Sequence, residues 1–204
     1  MDAGRAAAYA REKGIPAAHG SYEALLADPS VDAVYIPLPN QLHHPWTIRA
    51  LEAGKHVLCE KPYSRRPAEV EEAWGLADRH GLVLTEAFMW RHTPLVARFV
   101  AELPSIGRLR TIRSTFSFAM SKTEDVRLEP ELDGGSLMDV GCYCVSGARL
   151  IAGEEPELAL GIEERRPGEV DRRFTGILRF PSGVVAEFTS GFESPHRSLE
   201  AIGS

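Results

Sequence analysis

Helical spacing and short apolar runs alternate along the chain as far as His92. Asp2 is placed to cap a helix that runs to Lys13, and Gly14 to stop it. Ser21 opens a second helix, SYEALLA, which Pro29 ends. Within VDAVYIPLPN the apolar run from Ala33 to Ile36 reads as a strand buried on both faces. Pro45 suits the first turn of the next helix, which turns Ile48 and Leu51 inward and stops at Gly54. HVLCE is a strand. Pro67 starts a helix with Val70, Ala73, Trp74 and Ala77 on one stripe, Gly81 ends it, and LVLTEAFMW is the next strand. Trp74 reads as core packing. This alternation predicts a parallel sheet with helices on both faces. Such sheets bind ligands at the carboxyl ends of their strands. The ends IPLPN and CEKP fall on the same rim, which brings Asn40, His43 and Lys61 to one crevice.

The pattern changes after Thr93. LVARFVAEL is a helix leading to Gly107, and RLRTIRSTFSFAM alternates as a half-solvated antiparallel strand does. Asp133, Gly134 and Gly135 form a turn, and SLMDVGCYCVSGARLIAG is a helix. PELALGIEERR, RRFTGILRFP and GVVAEFTSGFE are strands, the last two joined by a tight turn at Pro181, Ser182 and Gly183. The expected organisation is an α/β domain over residues 1–92 and an α+β domain with a mainly antiparallel sheet over residues 93–204.

A net charge of −6 argues against a nucleic-acid partner, which needs a basic face. No segment has the length of a transmembrane helix, so no membrane partner is expected. The three cysteines, Cys59, Cys142 and Cys144, fit neither a disulfide framework nor zinc or redox spacing. They read as small buried apolar residues in a reducing cytoplasm. His43 and His44 read as a helix cap and a core histidine. No third ligand stands at metal spacing, so no metal site is expected.

In the helix after the double glycine, Leu137, Val140, Cys144, Ala148 and Ile151 form an apolar face. Asp139 and Tyr143, four apart, lie off it on a common side. A carboxylate and a phenol presented together near a lysine could move a proton. Spacing alone equally describes a solvated Asp and a partly buried Tyr. Glu60 and Lys61 likewise read either as a local surface ion pair or as part of a site.

The runs VDAVYIPLPNQLHHPWTIRALEAGKHVLCEKP, EAFMWRHTP, GRLRTIRSTFSF, DGGSLMDVGCYC and FTGILRFPSGVVAEF together resemble the glucose-fructose oxidoreductase/inositol dehydrogenase (Gfo/Idh/MocA) family over nearly the whole chain. The E-K-P turn followed by D-x-G-x-Y carries the resemblance. Tyr143 stands where inositol dehydrogenase-like members have His, which points to the dihydrodiol, xylose dehydrogenase and glucose-fructose oxidoreductase branch. The resemblance implies an NADP- or NAD-dependent oxidoreductase acting on a sugar, polyol or dihydrodiol hydroxyl. It assigns catalytic roles to Lys61, Asp139 and Tyr143. It assigns cofactor contacts to Pro37, Leu38, Asn40, His43, Glu60 and Lys61. It implies that the bond before Pro62 is often cis, and that copies associate through the antiparallel sheet.

The sequence contains no G-x-G-x-x-G. The resemblance therefore implies a Rossmann-type sheet lacking its first βαβ unit, with Met1 about where the residue reading the adenosine ribose belongs, and an antiparallel sheet that is incomplete after Ser204. Weak or absent cofactor binding and low stability are expected of such a chain. The alternative function is a non-catalytic fragment or a binding and scaffold module.

Overall fold

The computed structural model describes residues 2–204; the expectation for Met1 lies outside the described residues. The chain forms two compact units, Met1–Leu38 with Leu42–Glu86, and Pro39–Gln41 with Ala87–Ser204.

The first unit contains α1 (Ala3–Lys13), α2 (Tyr22–Leu26), β1 (Ala33–Ile36), α3 (His43–Glu52), β2 (His56–Cys59), α4 (Pro67–His80) and β3 (Leu84–Glu86). Its termini follow local chemistry. The Asp2 carboxylate accepts the Arg5 N–H, the Ser21 hydroxyl accepts the Ala24 N–H, and Gly14 and Gly81 take the left-handed conformation that ends α1 and α4. The three strands are parallel in the order β1-β2-β3. Val34, Ile36, Val57, Cys59 and Leu84 point into a core shared with Ala50 and Leu51 of α3 and Ala73 and Ala77 of α4, with Trp74 packed against it.

Burial on both faces does not hold. Tyr35 is 53% exposed and Leu58 41%, on the face opposite that core. The strands alternate because α3 and α4, which pack on each other, cover a single face. The strand expected over LVLTEAFMW ends at Glu86, where its ladder partner β2 ends at Cys59, and Met89–His92 is a 3-10 turn.

The second unit contains α5 (Pro94–Glu102), β4 (Thr111–Ser117), α6 (Cys142–Ala152), β5 (Leu158–Glu164), β6 (Arg173–Arg179), β7 (Val185–Gly191) and β8 (His196–Ile202). The sheet order is β5-β6-β7-β4-β8. All pairings are antiparallel except β4 with β7, which run parallel, so the expectation for β4 holds only toward β8. Strand alternation cannot report strand direction, because both ladders have period two. Val140, Cys144, Ala148 and Ile151 are buried as expected, against Ile112, Leu178, Ala186 and Phe188. The helix does not begin as an α-helix: Leu137–Gly141 is a π turn that leads into α6.

Candidate active site

In the first unit the rim at the carboxyl ends of β1 and β2 is built around His43. This side chain is 1% exposed. Its Nε2 lies 2.7 Å from the Leu38 carbonyl oxygen and its Nδ1 2.9 Å from that of Pro62. Both partners only accept, so a neutral ring donates to one of them and an imidazolium to both. His43 thus ties the turn after β1 to the turn after β2. The Lys61–Pro62 bond is cis.

Glu60 accepts from the Tyr35 hydroxyl and, at 3.2 Å, from the Lys61 main-chain N–H. The hydrogen bond to Glu60 pushes the Tyr35 phenol up to about 12. Glu86 accepts the Tyr63 N–H at 2.7 Å, which carries the chain past the turn into the core. Tyr63 is 2% exposed, with its hydroxyl 3.0 Å from His44 Nδ1; burial pushes its phenol up. An apolar hollow of about 240 Å³ beside the rim is lined by residues including Tyr22, Leu26, Tyr35, Pro37, Leu38 and Trp46.

In the second unit the Asn40 amide donates to the Asp133 carbonyl at 2.9 Å. Asp133 is buried in the left-handed conformation, at the turn where the chain enters the double glycine. The glycines are required by close approach. A Cβ on Gly134 would lie 2.5 Å from the Arg127 carbonyl oxygen, and one on Gly135, at φ +115°, 2.1 Å from Asp171 Oδ1. The π turn then presents Asp139, which pairs with Arg127 at 3.1 Å; Arg127 also pairs with Asp125.

Tyr143 follows on α6. Its ring meets Phe88 edge-on at 5.5 Å and Phe116 at 5.3 Å. Tyr143 also lines a cavity of about 180 Å³ with Trp90, Ser114, Phe116, Arg197 and Leu199. The Arg197 guanidinium lies 4.7 Å above the Phe116 ring. Trp90 Nε1 is buried with no hydrogen-bond partner, and the buried Ser114 hydroxyl pairs with the Cys144 thiol. Burial pushes the adjoining Cys144 thiol up. Cys142, expected buried, is half-exposed at the end of the π turn.

Asp139 and Tyr143 lie together in the second unit, and His43, Glu60 and Lys61 lie at the strand-end rim of the first; Arg127 and Asp171, which contact the π turn, carried no signal in the sequence. Arg127 and Asp171 lie in irregular segments that carry no periodic signal. An unpaired atom is invisible before packing is known.

The turns after β1 and β2 stand at the strand ends where doubly wound sheets hold nucleotides. The hollow beside them offers an apolar wall, and Glu60 and Lys61 polar groups, so the rim fits the nicotinamide end. No Gly-rich turn for the pyrophosphate occurs in the sequence.

Residues 1–88 match the family described as an oxidoreductase family with an NAD-binding Rossmann fold, and residues 97–204 match the GFO/IDH/MocA C-terminal domain. The chain is 46% identical over 197 residues to D-xylose 1-dehydrogenase (NADP(+)) 2 of Haloferax volcanii, covering 95% of this chain and 60% of that protein. It is 35% identical to trans-1,2-dihydrobenzene-1,2-diol dehydrogenase of Sus scrofa, covering 95% and 58%. The structure superposes on a 3-ketoreductase from Actinomadura kijaniata in complex with NADP and TDP-benzene, with TM-score 0.91 and 33% identity, covering 99% of this chain and 63% of that one. The chain thus spans about 60% of the length of these relatives.

Proposed function

Because this chain belongs to the Gfo/Idh/MocA oxidoreductase family, we propose that it serves NADP- or NAD-dependent oxidation or reduction at a carbinol carbon of a sugar, polyol or dihydrodiol. The observation that carries this reading is the placement of Tyr143. Its ring is fixed by Phe88 and Phe116 and lines a cavity of about 180 Å³ together with Trp90, Phe116 and Arg197. A small polyhydroxylated molecule offers an apolar C–H face to these rings and hydroxyls to the Tyr143 phenol.

In this reading the nicotinamide supplies or accepts the hydride. Tyr143 gives or takes the hydroxyl proton. Lys61 hydrogen-bonds the reacting oxygen. Asp139, held by Arg127, orients substrate and phenol. Glu60, Pro37, Leu38 and Asn40 form the cofactor wall, and His43 holds that wall from behind. The identity to a xylose dehydrogenase makes D-xylose the first substrate to try.

The test is a titration of the 204-residue chain with NADPH and NADH, followed by cofactor and tryptophan fluorescence, with Lys61→Ala beside it. Saturable binding weakened by Lys61→Ala supports the reading. A folded sample that binds neither nucleotide overturns it in favour of a non-catalytic module.

We also propose that copies associate through the outer face of the five-stranded sheet. Leu160 and Ile162 of β5 and Ile177 of β6 are exposed there, at 59%, 77% and 42%. An apolar row of this kind marks an interaction surface. Ile162→Lys is expected to lower the mass measured by light scattering to that of one chain. An unchanged mass above one chain, or a monomeric parent, refutes it.

A further inference from the structure

We infer that Asp171 is a positioning residue for Asp139 and Tyr143. Its carboxylate pins the start of the π turn and so sets the direction in which that turn and α6 project the two side chains. This rests on the functional reading above.

Asp171 lies in the loop of residues 165–172 between β5 and β6. Its Oδ2 accepts the Ser136 hydroxyl at 2.7 Å and the Leu137 N–H at 2.8 Å, and its main-chain oxygen accepts the Ser136 N–H at 2.9 Å. Three bonds thus converge on two successive residues, immediately ahead of Asp139. Ser136 is fully buried, and its Oγ lies 3.0 Å from the equally buried Ser190 Oγ of β7.

The loop that carries Asp171 is anchored in turn. The Arg172 N–H donates to the Glu164 carbonyl at 2.9 Å, and the Arg172 carbonyl accepts the Phe192 N–H at 2.9 Å. The clamp therefore refers the π turn to β5, β6 and the end of β7. Gly135 leaves the space that the carboxylate fills, since a Cβ there would lie 2.1 Å from Oδ1. Gly141 lets the far end of the turn settle on β7, since a Cβ there would lie 3.0 Å from Ser190 Oγ.

A π turn is rare and occurs mostly as a single turn inside a helix. It persists here because its surroundings over-determine it, and Asp171 supplies three hydrogen bonds to its start. A half-buried carboxylate that accepts from both a hydroxyl and a main-chain N–H holds them more firmly than a neutral acceptor does. Removing it frees Ser136 and Leu137 to relax toward ordinary α-geometry, which rotates every following side chain about the helix axis. Asp139 and Tyr143 are the residues whose direction matters to a bound substrate.

The experiment compares Asp171→Ala and Asp171→Asn with the parent by two readouts. One is the rate at which Cys142 reacts with a thiol reagent in the folded protein. Its thiol lies 3.5 Å from the Asp139 carbonyl at the end of the π turn, while Cys59 and Cys144 are buried and report any global opening. The other is kcat and KM for D-xylose with NADP.

Asp171→Ala is expected to change the Cys142 rate by about tenfold with Cys59 and Cys144 unreactive, and to lower kcat at least about tenfold with KM within about twofold. Asp171→Asn, which keeps one acceptor, is expected to recover part of both effects. An unchanged Cys142 rate in a folded Asp171→Ala protein overturns the inference. So does equal exposure of all three thiols, which would make Asp171 a general stabiliser. If Asp171→Ala does not fold, Ser136→Ala removes one of the three bonds and takes the same readouts. A parent with no turnover overturns the functional reading, and the thiol rates then decide the geometry alone.

Discussion

The first unit holds its polar turn with an imidazole and the second holds its own with a carboxylate. In the first, His43 bridges two main-chain carbonyls at the ends of neighbouring strands, so the support is local to the β-α-β crossover. In the second, Asp171 reaches from a loop between two distant strands to the start of a helix. In both units the residues proposed to act on substrate are set by a polar side chain behind them, fully buried in His43 and half-buried in Asp171. The difference lies in reach. A parallel sheet brings consecutive strand ends together by its own topology, and one side chain can tie them. The mixed sheet places its helix by a long connection, so the helix start needs a clamp from elsewhere in the chain.

The comparison breaks most severely at Gly135. Gly135→Ala forces a Cβ to within 2.1 Å of Asp171 Oδ1 at a φ of +115°. The expected loss is about 4 kcal/mol, from backbone strain and overpacking together. Urea unfolding followed by fluorescence checks it; a loss below about 1 kcal/mol means that the clamp is soft.

The matching break in the first unit is His43→Ala. It leaves the Leu38 and Pro62 carbonyls without their donor in a fully packed site, with an expected cost of about 3 kcal/mol. The same variant is expected to weaken nicotinamide binding, because the two turns it ties form the rim. Binding unchanged at full stability loss would make His43 a core residue only.

The smallest effect sharpens the contrast at the surface of the first unit. The Ser30 hydroxyl and N–H, together with His19, hold the exposed Asp28 carboxyl at about 2, below the ordinary 3.8. Its folded pKa is depressed, so its contribution is present above pH 3.8 and is lost as pH falls through about 2. Asp28→Asn is expected to flatten that acid limb of thermal stability slightly and to leave the neutral range unchanged. A steeper limb in the variant contradicts the assignment.

Much of the fold was legible in local chemistry. Asp2, Ser21, Gly14 and Gly81 cap where their types predict, because a cap is decided within one helical turn. The apolar stripes of α4 and α6 were read correctly for the same reason. Exposure of Tyr35 and Leu58 was not legible, since an apolar run reports what a strand tolerates and not what covers it. The parallel pairing of β4 with β7 was hidden because alternation is the same in both directions. The π turn looked helical because its apolar residues continue the stripe of α6, and Asp171, which holds its start, lies 34 residues beyond Leu137. The motifs around Lys61 and Tyr143 were legible through resemblance, whereas the unpaired Trp90 Nε1 emerges only from packing.

The most direct test of the account is the oxidation of D-xylose with NADP by the parent protein and by Tyr143→Phe, which keeps the ring between Phe88 and Phe116 and removes the hydroxyl. The account predicts turnover in the parent and a fall in kcat of about a hundredfold or more in Tyr143→Phe, with KM within about threefold. Equal turnover in the two proteins, or none from a folded parent offered sugars, polyols and dihydrodiols, would contradict it.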